Sequence, residues 1–216
     1  MGDNPSRSLD VQPHEYSVVG HNRAIYARWL FTVASLGAAI FTAVGIVIAG
    51  VAKSWGLPDS VRTWLVAPLS AATVFGILHF VFLKWGWQVM CVFGAFPRIT
   101  GKWACDGATV DDDGTVAHRW KATLTVVQDW EKIKVRLATA QSASYSVAAS
   151  LLPDGDGAWT LMYSYRNEPR QGEPELKSHI GYCEMHFAAD GCTAQGDYFN
   201  ARGRKTAGRM TLKREA

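Results

Sequence analysis

The densest chemistry in the chain lies in one late stretch. Asp197-Tyr198-Phe199-Asn200-Ala201-Arg202-Gly203-Arg204-Lys205-Thr206-Ala207-Gly208 sets aromatics, glycines and three cations side by side. Six Lys and Arg residues fall from Arg202 to Arg214, and the next acid is Glu215. Guanidinium forks grip phosphate through paired N–H donors, and glycine lets backbone N–H groups approach an anion. Tyrosine and phenylalanine rings can stack on a nucleobase. The stretch therefore suits an anionic, ring-bearing ligand, and equally a basic turn facing anionic lipid or water.

Other clusters carry less. His179 and Cys183 could share a strand face, but a period of two turns His186 to the opposite face, so the three make no zinc set. Asp111, Asp112 and Asp113 precede Gly114 without the later ligands of a calcium loop, which makes them a solvated hairpin turn. Ser142, Ser144 and Ser146 have no evident base, and no G-x-S-x-G, Walker or H-E-x-x-H motif occurs. No residue pattern argues for an enzyme, a metal site or a cofactor. Cys91, Cys105, Cys183 and Cys192 form no C-x-x-C pair, and in a chain this sparse in cysteine they read as free thiols in a reducing compartment.

The elements that must position these residues follow from periodicity. Lys132, Lys134 and Arg136 alternate with Ile133, Val135 and Leu137, the pattern of a strand with one wet face. Turn signals occur at 111–114, 128–131, 153–157, the longer 167–175, 189–191 and 201–207. Between them lie about eight strands: 101–109, 118–127, 132–139, 144–152, 159–166, 178–187, 193–199 and 208–214. Eight short strands joined by short turns predict an up-and-down antiparallel, lipocalin-like β-barrel of a size that holds one small ligand, with a β-sandwich as the alternative. Residues 95–216 carry 16 basic and 15 acidic groups, a near balance that excludes a nucleic-acid polymer as partner.

Two apolar runs precede the strands. Trp29 to Ala52 is 24 residues without a charge, and as a helix it reaches about 36 Å, enough for a hydrocarbon core of about 30 Å. Trp64 to Leu83 is 20 residues with His79 as its one ionisable group. Trp29, Trp55, Trp64, Trp85 and Trp87 mark their ends, where the membrane interface favours indole. The short link 53–63 makes a helical hairpin with both ends on one side. Arg23, Arg28, Lys84, Arg98 and Lys102 against Lys53 and Arg62 place that side in the cytoplasm. Small residues at Ser35, Ala39 and Ala43, and at Gly45 and Ala49, suit close helix contact, either within the hairpin or between copies. The expected organisation is a cytoplasmic segment 1–28, transmembrane helices 29–52 and 64–83, and a cytoplasmic β-barrel over 98–216.

Four local motifs share this layout: Gly101-Lys102-Trp103, Tyr163-Ser164-Tyr165-Arg166-Asn167-Glu168-Pro169, His179-Ile180-Gly181, and Tyr198-Phe199 with Arg202, Thr206 and Gly208. In that order, behind a helical hairpin, they resemble the two-transmembrane, β-strand-rich effectors associated with CD-NTase (SMODS) enzymes of bacterial CBASS antiphage systems. The resemblance covers most of the chain and departs at Asn200, where threonine is expected. It implies a receptor and not an enzyme. The barrel would bind a cyclic dinucleotide second messenger made by a partner CD-NTase and self-associate. Clustered helices would then disrupt the inner membrane and kill the infected cell. The ligand positions implied are Arg202, Thr206, Asn167, His179, Tyr165, Tyr198 and Trp103, with no metal and no cofactor. A membrane-tethered, lipocalin-like carrier of an apolar ligand and a membrane enzyme remain as alternatives.

Overall fold

The computed structural model of the protein describes residues 12–56, 58, 60, 64, 70–93, 96–169, 177–201 and 205–215. The chain divides into two units, His21–Phe93 and the strands on either side of it in sequence.

The first unit is helical. Helix α1 spans Arg23–Ser54, and Asn22 caps it by accepting the Ala24 N–H at 3.0 Å. It stops at Gly56, whose φ of 74° lets its N–H close onto the Lys53 carbonyl. Helix α2 spans Ala71–Val81, and the Ser70 hydroxyl accepts the Thr73 N–H at 3.1 Å. A π-turn at Phe82–Gly86 carries the chain into α3, Trp87–Val92. The second helical run thus ends at Val92 and not near Leu83, because no proline interrupts it before Pro97. Its expected start near Trp64 falls partly on 65–69, outside the described residues. Lys84 within this run lies 4.7 Å from the Trp85 ring centroid, a contact that shelters the cation on an apolar helix.

Both Arg23–Ser54 and the 22-residue run Ala71–Val92 are long and apolar enough to cross a membrane. Their surfaces fit that use: Phe31, Leu36, Ile40 and Val47 are exposed, as water would penalise and lipid would not. The buried residues of α1 are Leu30, Ala34, Ala38, Gly45 and Ala52. Of the small residues noted in the sequence, Gly45 is buried, while Ala39 and Ala43 are exposed.

The second unit is a nine-stranded sheet: β1 His14–Val18, β2 Gly101–Val110, β3 Val116–Gln128, β4 Lys132–Ala138, β5 Ser142–Pro153, β6 Trp159–Pro169, β7 His179–Phe187, β8 Thr193–Ala201 and β9 Ala207–Arg214. From β2 to β9 each strand pairs antiparallel with the next, and β9 returns to β2, so the sheet closes into a barrel. The closing seam lies between β4 and β5, which pair only from Arg136↔Tyr145 to Ala138↔Ala143. Beyond that they part, and β1 fills the gap, antiparallel to β4 and parallel to β5. This ninth strand corrects the expectation of eight and of a separate segment 1–28. Five residues paired in parallel to a distant strand leave no turn signal beside them to read.

Strand β6 also runs on through Asn167 to Pro169, where the turn signals place a loop from Asn167. Pairing on both edges, with Ser144 and His179, keeps Asn167 extended. Side chains alternate in and out along every strand, and the inward set differs between the barrel's two ends. One end is filled by Trp103, Leu124, Val126, Ile133, Val135, Leu151, Leu161, Met185 and Phe187, all buried. That end is closed by Gln128. Its amide nitrogen donates to Tyr16 Oη and to the Pro97 carbonyl, both at 3.0 Å, and its oxygen accepts the Ile99 N–H at 3.1 Å.

Candidate functional site

The opposite end of the barrel is open. It holds a cavity of about 870 Å³ with its mouth included, inside the range of about 300–1,000 Å³ usual for small-molecule sites. Rings line much of its wall: Trp120 from β3, Tyr198 from β8, and Tyr163 and Tyr165 from β6. The β4–β5 hairpin supplies Thr139, Ser142 and Ser144. His118, His179, Asn167 and Asn200 complete the polar part.

These groups are tied into a framework. Tyr165 Oη donates to Asn200 Oδ1 at 2.8 Å, and Asn200 Nδ2 donates to Thr206 Oγ1 at 2.8 Å. The Tyr198 and Thr109 hydroxyls meet at 3.0 Å. His179 Nδ1 lies 3.0 Å from the Lys177 carbonyl, so the proton sits on Nδ1, and Nε2 of the neutral ring is an acceptor. Trp120 and Tyr198 meet edge to face at 5.8 Å between centroids, and Tyr163 and Tyr165 at 6.0 Å.

Three inward glycines explain how the rings fit. A Cβ at Gly107 would come within 2.3 Å of the Trp120 ring, one at Gly181 within 2.4 Å of Tyr165, and one at Gly208 within 2.7 Å of Tyr198. Each glycine is the cross-strand partner of its ring: Gly107↔Trp120, Tyr165↔Gly181 and Tyr198↔Gly208. None has a positive φ, so it is the ring, and not the backbone, that requires glycine there.

Among the described residues that line the cavity, none is Lys, Arg, Asp or Glu. Lys205 lies in an adjoining depression with Asp111, Asp112, Asp113 and Phe199, which shares Asn200 and Thr206 with the cavity. Below the rings sit two thiols. Burial pushes Cys183 up to about 12 and does the same to Cys105, with the nearby Asp106 charge adding to the latter. Burial likewise holds the Tyr163 hydroxyl well above its usual range. These groups are inert as nucleophiles at neutral pH.

The structure does give Ser146 a histidine: His14 Nε2 lies 2.8 Å from its hydroxyl. Yet Ser146 is fully buried and also accepts the Val135 N–H at 2.9 Å, so the pair fastens the β1 seam and presents no nucleophile. Among the described residues no cluster of His, Cys, Asp or Glu could hold a metal. The arrangement can stack planar rings and read hydrogen-bonding edges.

Of the residues singled out from the sequence, Tyr165, Asn167, His179, Tyr198 and Thr206 line the cavity together. Trp103 does not. It lies at the filled end, where its indole N–H donates to the Ile99 carbonyl at 3.3 Å and its ring meets Phe187 and the Arg214 guanidinium. Alternation tells which face a residue takes, not how deep along the barrel it sits. Arg202 lies outside the described residues. Trp120, His118, Thr109 and Asn200 were not foreseen as cavity residues; the glycine–aromatic partnerships that mark Trp120 become visible only once the register is known.

The family profile described as "Cap15, cyclic dinucleotide receptor domain" matches residues 94–214. The chain belongs to the Cap15 family. A relative named CD-NTase-associated protein 15, from Yersinia aleksiciae, is 34% identical over 207 residues, covering 94% of this chain and 98% of the relative. The Cap15 profile takes in β2 to β9 and hence every cavity residue named above. It describes a receptor and not an enzyme family.

Proposed function

We propose that this chain is the membrane-anchored effector of a CBASS antiphage system, with a barrel that binds a cyclic dinucleotide second messenger. The observation that carries the proposal is a cavity of ring faces, amides and hydroxyls inside the domain matched by a cyclic dinucleotide receptor profile. Tyr165 and Tyr198 offer platforms for bases. Asn167, His179 and Thr206 offer donors and acceptors, and Arg202 is assigned the phosphates. Ligand made by a partner CD-NTase draws barrels into a homo-oligomer. Weak contacts between the helices of each copy then add together, because tethering raises their effective concentration. The clustered helices, set in the inner membrane with both ends in the cytoplasm, disrupt it. The chain needs no cofactor and performs no catalysis.

One observation favours a carrier of apolar ligands: the described lining holds no Lys or Arg. Against it stand the amides, imidazoles and hydroxyls of the same lining, which an apolar ligand would strip of water without replacing it. The deciding experiment is thermal unfolding of the full chain in detergent with a panel of cyclic dinucleotides. A saturating ligand is expected to raise the midpoint, and Arg202→Ala to weaken its binding at least tenfold. No shift with any member of the panel, together with a shift by fatty acids, would replace the receptor by the carrier.

A further inference from the structure

The three glycine seats assign a binding mode that the receptor reading leaves open, and on that reading they rest. We infer that the ligand's two bases lie flat on two ring platforms, Tyr165 on one and Trp120 with Tyr198 on the other. Gly181, Gly208 and Gly107 are the positioning residues that keep those faces open to the cavity. A side chain normally stands away from the sheet and into the lumen. Here the Tyr165 tip overlies Gly181, Tyr198 overlies Gly208 and Trp120 overlies Gly107, each closer than any Cβ would permit. A ring laid over its cross-strand partner leaves the lumen empty and turns a face inward.

The platforms are distinct. Trp120 on β3 and Tyr198 on β8 both lean over the neighbouring β2 and β9 and touch each other. Tyr165 on β6 leans over β7 and is pinned by Asn200. Two platforms match a ligand with two planar bases, and stacking on each contributes without reading sequence.

The test uses the full-length chain in detergent, titrated with 3′,3′-cyclic dinucleotides carrying A, G, C or U and followed by calorimetry. Gly181→Ala is expected to lower the affinity of the tightest binder at least tenfold, because the methyl group lifts Tyr165 into the lumen. Tyr165→Phe keeps the face and loses only the hydroxyl, so it should bind within about threefold of wild type, whereas Tyr165→Leu should lose at least tenfold. The double variant Gly181→Ala/Tyr165→Leu separates a platform from mere space. If the glycine only keeps the lumen clear, removing the displaced ring restores binding and overturns the inference; if the ring is the platform, binding stays lost. Should Gly181→Ala fail to fold, Tyr165→Leu against Tyr165→Phe still decides, since equal binding by both overturns it. Wild type that binds no member of the panel defeats the receptor reading itself, and this inference with it.

Discussion

Asn200 shows how much one side chain can do in this cavity. Its amide joins Tyr165 to Thr206 by two hydrogen bonds, and it stands where the family resemblance leads one to expect threonine. A threonine is too short to reach both partners as the amide does. Asn200→Ala should therefore loosen the Tyr165 ring and weaken cyclic dinucleotide binding about tenfold, the scale of about 1.4 kcal/mol for losing net hydrogen bonds, measurable by calorimetry. Unchanged affinity would remove Asn200 from the binding framework. The thiols give a second test. Cys192 is exposed, whereas burial holds Cys105 and Cys183 near 12. At pH 8 iodoacetamide should label Cys192 in native protein and reach the other two only after denaturation, as intact-mass and peptide spectra would report.

At the scale of elements, Gln128 and β1 matter most. Gln128 is buried and holds Tyr16, from the strand ahead of α1, and Pro97 and Ile99, from the segment behind α3. Gln128→Leu strands those partners away from water and should lower unfolding free energy by about 3 kcal/mol in denaturant titration. Strand β1 has a like effect on the seam. A fragment of residues 98–216 should melt roughly 10 °C below one that also carries residues 12–20 on a flexible linker. Equal melting would mean that β1 contributes nothing to the closed sheet.

The eight later strands were legible because charge and apolarity alternate along them and turn residues separate them, as in Lys132–Ala138. Strand β1 was not, because its partners lie more than 100 residues away and only the assembled seam specifies it. The cavity was legible in part for the same reason. Tyr165, Asn167, His179 and Tyr198 announce an inward face by their spacing. Depth is a property of register, which is why Trp103 resembles a ligand residue in the sequence and fills the opposite end in the fold. The end of the second helical run slipped from Leu83 to Val92 because a π-turn absorbs Lys84, a charge that hydropathy alone treats as a boundary.

For the whole molecule, the proposal requires both ends of the hairpin to face the cytoplasm. A green fluorescent protein fused after Glu215 should fluoresce and an alkaline phosphatase fused there should stay inactive; the reverse pattern would set the barrel on the wrong side for a cytoplasmic messenger. The exposed apolar surface of α1 is the part free to meet another copy within the bilayer, and Ala39 and Ala43 lie on it.

The placing of β1 ahead of the helices has one more result, in the order of manufacture. The barrel cannot close until β9, which ends at Arg214, has emerged to pair with β2. By then β1 and both apolar helices have long left the ribosome, since chains grow from the N-terminus at about 5–20 residues per second. A newborn chain therefore meets the bilayer before it has a cavity, and its helices reach the membrane while the protein is still unable to hear any signal.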